Sequence, residues 1–153
     1  MPPSKPAADD MLALDNQFCF ALYSTSLAMT KTYKPLLDQL GITYPQYLVM
    51  LVLWQKDDVL VKTIGEKLFL DSGTLTPLLK RLEALALVNR TRDKVDERQV
   101  RITLTREGRN LKRKAREVPP QVICASGQNQ ATLAAMRTQL LGMRGDLLES
   151  GEQ

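Results

Sequence analysis

The side chains best suited to chemistry are two thiols, Cys19 and Cys124, four tyrosines, and a dense run of lysine and arginine between residues 90 and 116. The chain of 153 residues has no histidine, which excludes His-based triads, Cys-His dyads and histidine metal sites. The two cysteines are remote in sequence and neither belongs to a Cys-x-x-Cys pair, so no zinc or other metal site and no cofactor is expected. On their own, two such thiols read as small buried residues in a reducing compartment, where a structural disulfide is uncommon. A thiol reacts as its thiolate, and a free cysteine, with a pKa of about 8.5, is mostly protonated at neutral pH. Without an imidazole, the groups that could favour the thiolate are phenol hydroxyls, a helix N-terminus, or a Lys or Arg. Cys19 stands near the start of a first helix, and Tyr23, at i+4, shares its face.

The formal charge of +4 is modest but unevenly distributed. Residues 90–116 hold 11 of the 21 Lys and Arg and only 4 of the 17 acids, so that segment carries +7 and the remainder −3. Such a concentration is an electrostatic footprint for nucleic acid, although charge alone fits a solvated helix face equally well.

The elements that must position these groups follow from periodicity. Apolar residues over 12–40 recur at helical spacing, with a possible bend at Pro35 and a left-handed cap at Gly41. Thr43-Tyr-Pro-Gln46 is a capping-box pattern that opens a second helix through Tyr47 to Trp54, apolar nearly all round and so expected in the core. A short third helix spans Val61 to Leu68. A fourth runs from about Gly73 to Leu87, with Leu75, Leu78, Leu79, Leu82 and Leu85 inward and Pro77 tolerated only near its start. The period then changes: Val88–Arg92 and Gln99–Leu104 read as a half-exposed hairpin around a charged turn. Thr105 opens a basic helix with Arg106, Arg109, Arg113 and Arg116 on one face, interrupted at Pro119-Pro120. Leu133, Met136, Leu140, Met143 and Leu147 mark a last amphipathic helix. The N-terminus lacks the apolar core of a signal peptide, and no apolar run is long enough to span a bilayer, so a cytoplasmic protein with no membrane partner is expected.

Two short helices across a tight turn, followed at once by a charged hairpin, make a winged helix-turn-helix. The fold class is mainly α with a small β-hairpin wing. Residues 1–10 form a disordered lead-in, 11–42 and 105–150 supply dimerisation helices, and 43–104 form the DNA-binding module. The N-terminal residues of the second helix of such a pair face base edges in the major groove. Here they are Ser72, Gly73, Thr74 and Thr76, with Lys80 and Arg81 placed for phosphates. Lys94 and Arg98 at the hairpin tip suit a narrow, A·T-rich minor groove. Asp71 and Ser72 could serve only as helix caps, and Asp96 only as a brace for the turn. The first and last helices are too apolar for a lone module, and a homodimer would cover them. It would set two recognition helices about 34 Å apart on a pseudo-palindromic duplex operator.

The chain resembles the MarR-type transcriptional regulators and, within them, the organic hydroperoxide resistance repressors. The likeness lies in Phe18-Cys-Phe-Ala-Leu-Tyr23, Lys34-Pro-Leu-Leu37, Ile42-Thr-Tyr-Pro-Gln-Tyr47, the run Leu70-Asp-Ser-Gly-Thr-Leu-Thr-Pro-Leu-Leu-Lys-Arg81, and Asp96-Glu-Arg98, and spans roughly residues 15–150. The resemblance implies a homodimeric repressor, not an enzyme, that leaves its operator when organic hydroperoxides oxidise Cys19. It also implies Tyr33 and Tyr44, with Tyr23 as a third neighbour, as hydrogen-bond partners of the thiolate, and Cys124 as the resolving cysteine. Tyr33 lies 14 residues beyond Cys19, about 21 Å along a straight helix, so a contact between them demands a second chain. Phe18, Phe20 and Leu22 could form an apolar lining that favours organic hydroperoxides. The alternative is a MarR-type repressor governed by a phenolic or other small ligand without thiol chemistry. A thiol peroxidase is disfavoured by the absence of a thioredoxin-like βαβ pattern.

Overall fold

The computed structural model describes residues 7–152. Residues 1–6 of the expected lead-in lie outside that range. The chain divides into two compact units, one ending at Lys112 and the other beginning at Arg113.

The first unit opens with two 3-10 turns, Asp10–Leu12 and Leu14–Asn16, which occupy the first part of the span expected to be helical. Helix α1 then runs unbroken from Phe18 to Asp38. Pro35 falls in its last turn; it offers no N–H to the Lys31 carbonyl, but only three residues of helix follow it. Gly41, at φ +73°, ends the helix: its N–H donates to the Asp38 carbonyl (3.1 Å) and that of Ile42 to the Leu37 carbonyl (3.2 Å). These crossed bonds satisfy carbonyls left open by the helix end, and Leu37 and Ile42 bury beneath them.

Helix α2 (Tyr44–Gln55) carries the expected capping box. The Gln46 backbone N–H donates to Thr43 Oγ1, and the Gln46 side-chain oxygen accepts from the Thr43 N–H at 2.9 Å. Tyr47, Val49, Met50, Val52 and Leu53 are buried, as expected for a helix apolar on most of its circumference. After it come strand β1 (Val59–Leu60), helix α3 (Val61–Leu68), helix α4 (Ser72–Ala84), strands β2 (Val88–Arg92) and β3 (Val100–Leu104), and helix α5 (Arg106–Ala115).

The expected hairpin is present, with Val88 opposite Leu104 and Arg92 opposite Val100, but the sheet has a third strand. Its order is β1-β3-β2, all antiparallel, with Val59 opposite Ile102. Two residues are too few to show strand alternation, which is why β1 reads in sequence only as the end of a polar break. Asp57 extends this edge, since its Oδ1 accepts from the Leu104 N–H at 2.8 Å. Helix α4 is also shorter than expected. It stops at Ala84, the chain turns through Ala86 at φ +59°, and Leu85 is left 48% exposed. Leu75, Leu78, Leu79 and Leu82 are buried as expected, and Leu87 and Val88 replace Leu85 in the core.

Thr105 joins the wing to α5. Its hydroxyl donates to the Ala86 carbonyl (2.6 Å) and accepts from the Gly108 N–H (3.0 Å). Gly108 is buried so tightly that a Cβ would lie 2.1 Å from the Leu87 carbonyl oxygen. Its own carbonyl accepts from the Trp54 indole N–H at 2.9 Å.

In the second unit, helix α6 (Val118–Ala125) is followed by helix α7 (Gln130–Gly151), which is capped by Asn129. Pro119 and Pro120 do not interrupt the basic helix, which has already ended at Ala115. They occupy the first turn of α6, where N–H groups have no partner to lose.

The close approach at Gly108 generates a prediction. Gly108→Ala should lower stability by about 2–3 kcal/mol, because backbone rather than a flexible side chain must yield. Urea unfolding followed by the lone Trp54 should show the midpoint fall; an unchanged midpoint would refute the tight contact.

Candidate nucleic-acid interface and thiol centre

The turn between α3 and α4 is tight because Gly65 allows it. A Cβ there would sit 2.8 Å from the Leu70 carbonyl oxygen, and the Gly65 carbonyl accepts from the Leu70 N–H at 3.0 Å. Phe69 turns the chain at φ +57°. Sequence reasoning passed over Gly65; a glycine in the middle of an amphipathic helix was the available signal. Asp71 then caps α4, accepting from the Thr74 N–H at 2.7 Å, and this bond holds its carboxyl below the usual carboxylate range. The capping reading of Asp71 is therefore correct, while Ser72 is already helical. Ser72, Gly73 and Thr74 are exposed, Thr76 is half-buried, and Lys80 and Arg81 are exposed further along the helix.

The wing is braced from within. The Asp93 N–H donates to the Gln99 carbonyl, and the Asp96 N–H to Asp93 Oδ2. Asp96 grips Arg98 through both side chains, with Nε to Oδ1 at 3.0 Å and NH2 to Oδ2 at 3.3 Å, and these bonds keep its carboxyl ionised to lower pH than usual. Asp96 thus braces the turn and also aims the Arg98 guanidinium, which stays exposed beside Lys94 and a fully projecting Val95. Arg101 bridges Asp93 (2.9 Å) and Asp58 (3.5 Å), tying the wing to the segment before β1. A groove of about 790 Å³ lies between α3, α4 and the wing, lined by Phe69, Leu75 and Leu79 on one side and Arg90, Arg98 and Val100 on the other. Arg90 and Arg101 were not singled out in the sequence, where nothing separates them from other strand arginines.

The residues linked to thiol chemistry fall into separate places. Cys19 is the second residue of α1 and is exposed, with Tyr23 exposed one turn on. Phe18, Phe20 and Leu22 around it are also exposed. Tyr33 and Tyr44 meet at the far end of α1, with ring centroids 4.9 Å apart. Tyr47, expected only as core, completes the cluster at 5.8 Å from Tyr33 and contacts Trp54 edge-on at 6.5 Å. Burial, then the neighbouring Tyr44 and Tyr47, pushes the Tyr33 hydroxyl up to about 12. Because α1 is unbroken, about 21 Å of helix separates Cys19 from Tyr33. Cys124 is exposed on α6. No group of metal-ligating side chains occurs among the described residues, and none of their helices is long and apolar enough to cross a membrane.

A helix pair with a tight turn, a polar reading end and a three-stranded basic wing defines a winged helix-turn-helix regulator. The family described as Transcriptional regulator SarA/Rot matches residues 31–115. An organic hydroperoxide resistance transcriptional regulator of Bacillus subtilis is 50% identical over 86% of this chain and 89% of its own length. AbfR of Staphylococcus epidermidis, in its reduced form bound to DNA, superposes with a TM-score of 0.74 at 37% identity, covering 91% of this chain and 96% of AbfR. Disulfide-formed AbfR gives 0.63 at 34% identity, covering 95% and 97%. The chain belongs to the SarA/Rot family of MarR-type transcriptional regulators, and is akin to the organic hydroperoxide resistance branch that the sequence resembles.

The tyrosine cluster should make stability depend on alkaline pH. The folded state raises the Tyr33 hydroxyl above its ordinary value of 10.0, so its stabilisation is complete below pH 10 and is lost as pH rises toward about 12. Urea midpoints measured across that window should fall for the native chain and fall less steeply for Tyr33→Phe. Parallel curves would show that the burial at Tyr33 is not felt.

Proposed function

We propose that this regulator is a homodimeric repressor that holds operator DNA when reduced and releases it when an organic hydroperoxide oxidises Cys19. The observation that carries the proposal is the split of the thiol site along one unbroken helix, in a chain half identical to an organic hydroperoxide regulator. Cys19 and Tyr23 stand exposed at one end of α1, and the paired Tyr33 and Tyr44 at the other. A second copy running antiparallel along α1 would bring each cysteine to the other chain's tyrosines. It would also cover Phe18, Phe20, Leu22 and Leu27 of α1, exposed in one chain; in the second unit Met136, Leu140, Leu141 and Leu147 of α7 are exposed as well.

In the proposed reaction the Cys19 thiolate attacks the terminal peroxide oxygen. The O–O bond breaks, the alkoxide leaves and takes a proton, and the sulfur becomes a sulfenic acid. Phenol hydroxyls of Tyr33, Tyr44 and Tyr23 would favour the thiolate by donating to it. The sulfenic acid then condenses with the Cys124 thiol: an S–S bond forms and water leaves. Cys124 is exposed and so open to such a reaction. Closing an intersubunit bond brings Cα atoms within about 7 Å, and any helix shift this requires would carry the reading helices out of register with successive major grooves.

On DNA, Ser72, Gly73, Thr74 and Thr76 would face bases, Lys80 and Arg81 phosphates, and Lys94 and Arg98 the minor groove. A pseudo-palindromic, A·T-rich operator and a cytoplasmic setting belong to this proposal.

Band shifts before and after stoichiometric organic hydroperoxide test it. Cys19→Ser should bind as tightly as the native chain and stay bound. Non-reducing electrophoresis should show a covalent dimer in the native protein that both Cys19→Ser and Cys124→Ser lack. Release of DNA from Cys19→Ser by hydroperoxide would favour the ligand-governed alternative.

A further inference from the structure

Within α4 one backbone acceptor lacks its ordinary partner. The Asp71 carbonyl accepts from the Leu75 N–H at 3.0 Å, as a helix requires. Two residues on, the Gly73 carbonyl should accept from residue 77, which is Pro77 and has no N–H. Pro77 is the sixth residue of α4, beyond the first turn whose N–H groups are unpaired in any helix, so the expectation that it sits within that turn does not hold. A proline at this depth normally costs a helix about 3 kcal/mol. The Pro35 ring in α1 lies in a closing turn, but Pro77 lies just behind the reading end of the helix.

The residue that carries this carbonyl and the proline that frees it both lie on the exposed side of the helix. Leu75, Leu78, Leu79 and Leu82 form the buried face of α4, and Gly73, Pro77, Lys80 and Arg81 lie on the exposed one. Proline's ring crowds the carbonyl four residues back and tilts it away from the helix axis. Around Gly73 itself the space is open, with only the Asp71 carboxylate within 4 Å of a Cβ built there. A residue without a side chain lets backbone approach a base edge closely.

We propose that the Gly73 carbonyl, freed by Pro77, is a base-reading acceptor in the major groove. This rests on the DNA-binding reading above. A carbonyl oxygen pairs with an exocyclic amino group, so it selects adenine N6 or cytosine N4. It rejects guanine O6 and thymine O4, which would set acceptor against acceptor. Ser72, Thr74 and Thr76 hydroxyls can donate or accept and so discriminate less. The device gives the helix a fixed acceptor, with no side-chain rotamer to order on binding.

The test is selection from randomised duplexes with the full reduced chain and with Pro77→Ala, which supplies the missing N–H and lets Gly73 bond within the helix. The native chain should enrich adenine or cytosine at one position in each half-site. There, replacing the base by its analogue without the amino group (purine for adenine, 2-pyrimidinone for cytosine) should weaken binding roughly tenfold. Pro77→Ala should melt at higher temperature and lose that one preference, so that the analogue costs less than twofold, while the other positions keep theirs. The same preferences at every position in both proteins would overturn the carbonyl's role and leave DNA binding standing. A native chain that enriches no sequence would overturn the regulator reading itself. Should Pro77→Ala not fold, the analogue scan on the native chain still decides: no position sensitive to loss of an amino group contradicts the proposal.

Discussion

The structure depends on the continuity of α1. A helix of 21 residues cannot fold back on itself, so residues at its two ends never meet within one chain. Its composition concentrates apolar side chains along a surface that its own chain leaves open, with Leu37 the one buried residue in the helix. The same continuity that separates Cys19 from Tyr33 leaves Phe18, Phe20, Leu22 and Leu27 exposed, the surface on which the proposed second copy would pack. A sensor built this way would be assembled only in the proposed dimer, and its thiol chemistry would then be tied to the geometry that spaces the two reading helices.

The reading module inherits this constraint through packed side chains. Tyr33 packs tilted against Tyr47, Tyr47 meets Trp54 edge-on, and Trp54 donates to the carbonyl of Gly108 at the start of α5. Gly108 in turn presses on the Leu87 carbonyl at the entry to the wing. Contacts of this kind contribute about 0.5–1.5 kcal/mol for each aromatic pair and leave little room for independent movement. At the other end of the sheet, Arg101 links Asp58 to Asp93, so the wing is fixed at its base by packing and along its length by charge. These contacts link the end of α1, the core helix α2 and the wing within the first unit.

Much of this was legible in the sequence because it is written in local rules. Gly41, the Thr43 and Gln46 pair, and the leucine stripe of α4 each announce themselves by residue type and spacing. Strand β1 was invisible because two residues cannot display a period. Leu85 was misplaced because a helix stripe extrapolates past a turn that no glycine or proline marks; Ala86 takes the left-handed conformation without the usual residue. Pro119 and Pro120 were read as a break, although proline suits a first turn as well as an interruption. The site was legible in part. Residue types pointed to Asp71 as a cap and to Asp96 as a brace of the turn, but the meeting of Tyr33, Tyr44 and Tyr47 and the bridge through Arg101 arise from three-dimensional placement.

The most direct measurement of the central claim uses mixed dimers, one subunit carrying Cys19→Ser and the other Tyr33→Phe with Tyr44→Phe. If the thiol site is shared between chains, the one remaining cysteine meets unaltered tyrosines of the other subunit. Its rate of oxidation by organic hydroperoxide should then equal that of a native site. A rate as slow as that of the dimer with both tyrosines replaced in each subunit would place cysteine and tyrosines in the same chain and contradict the account.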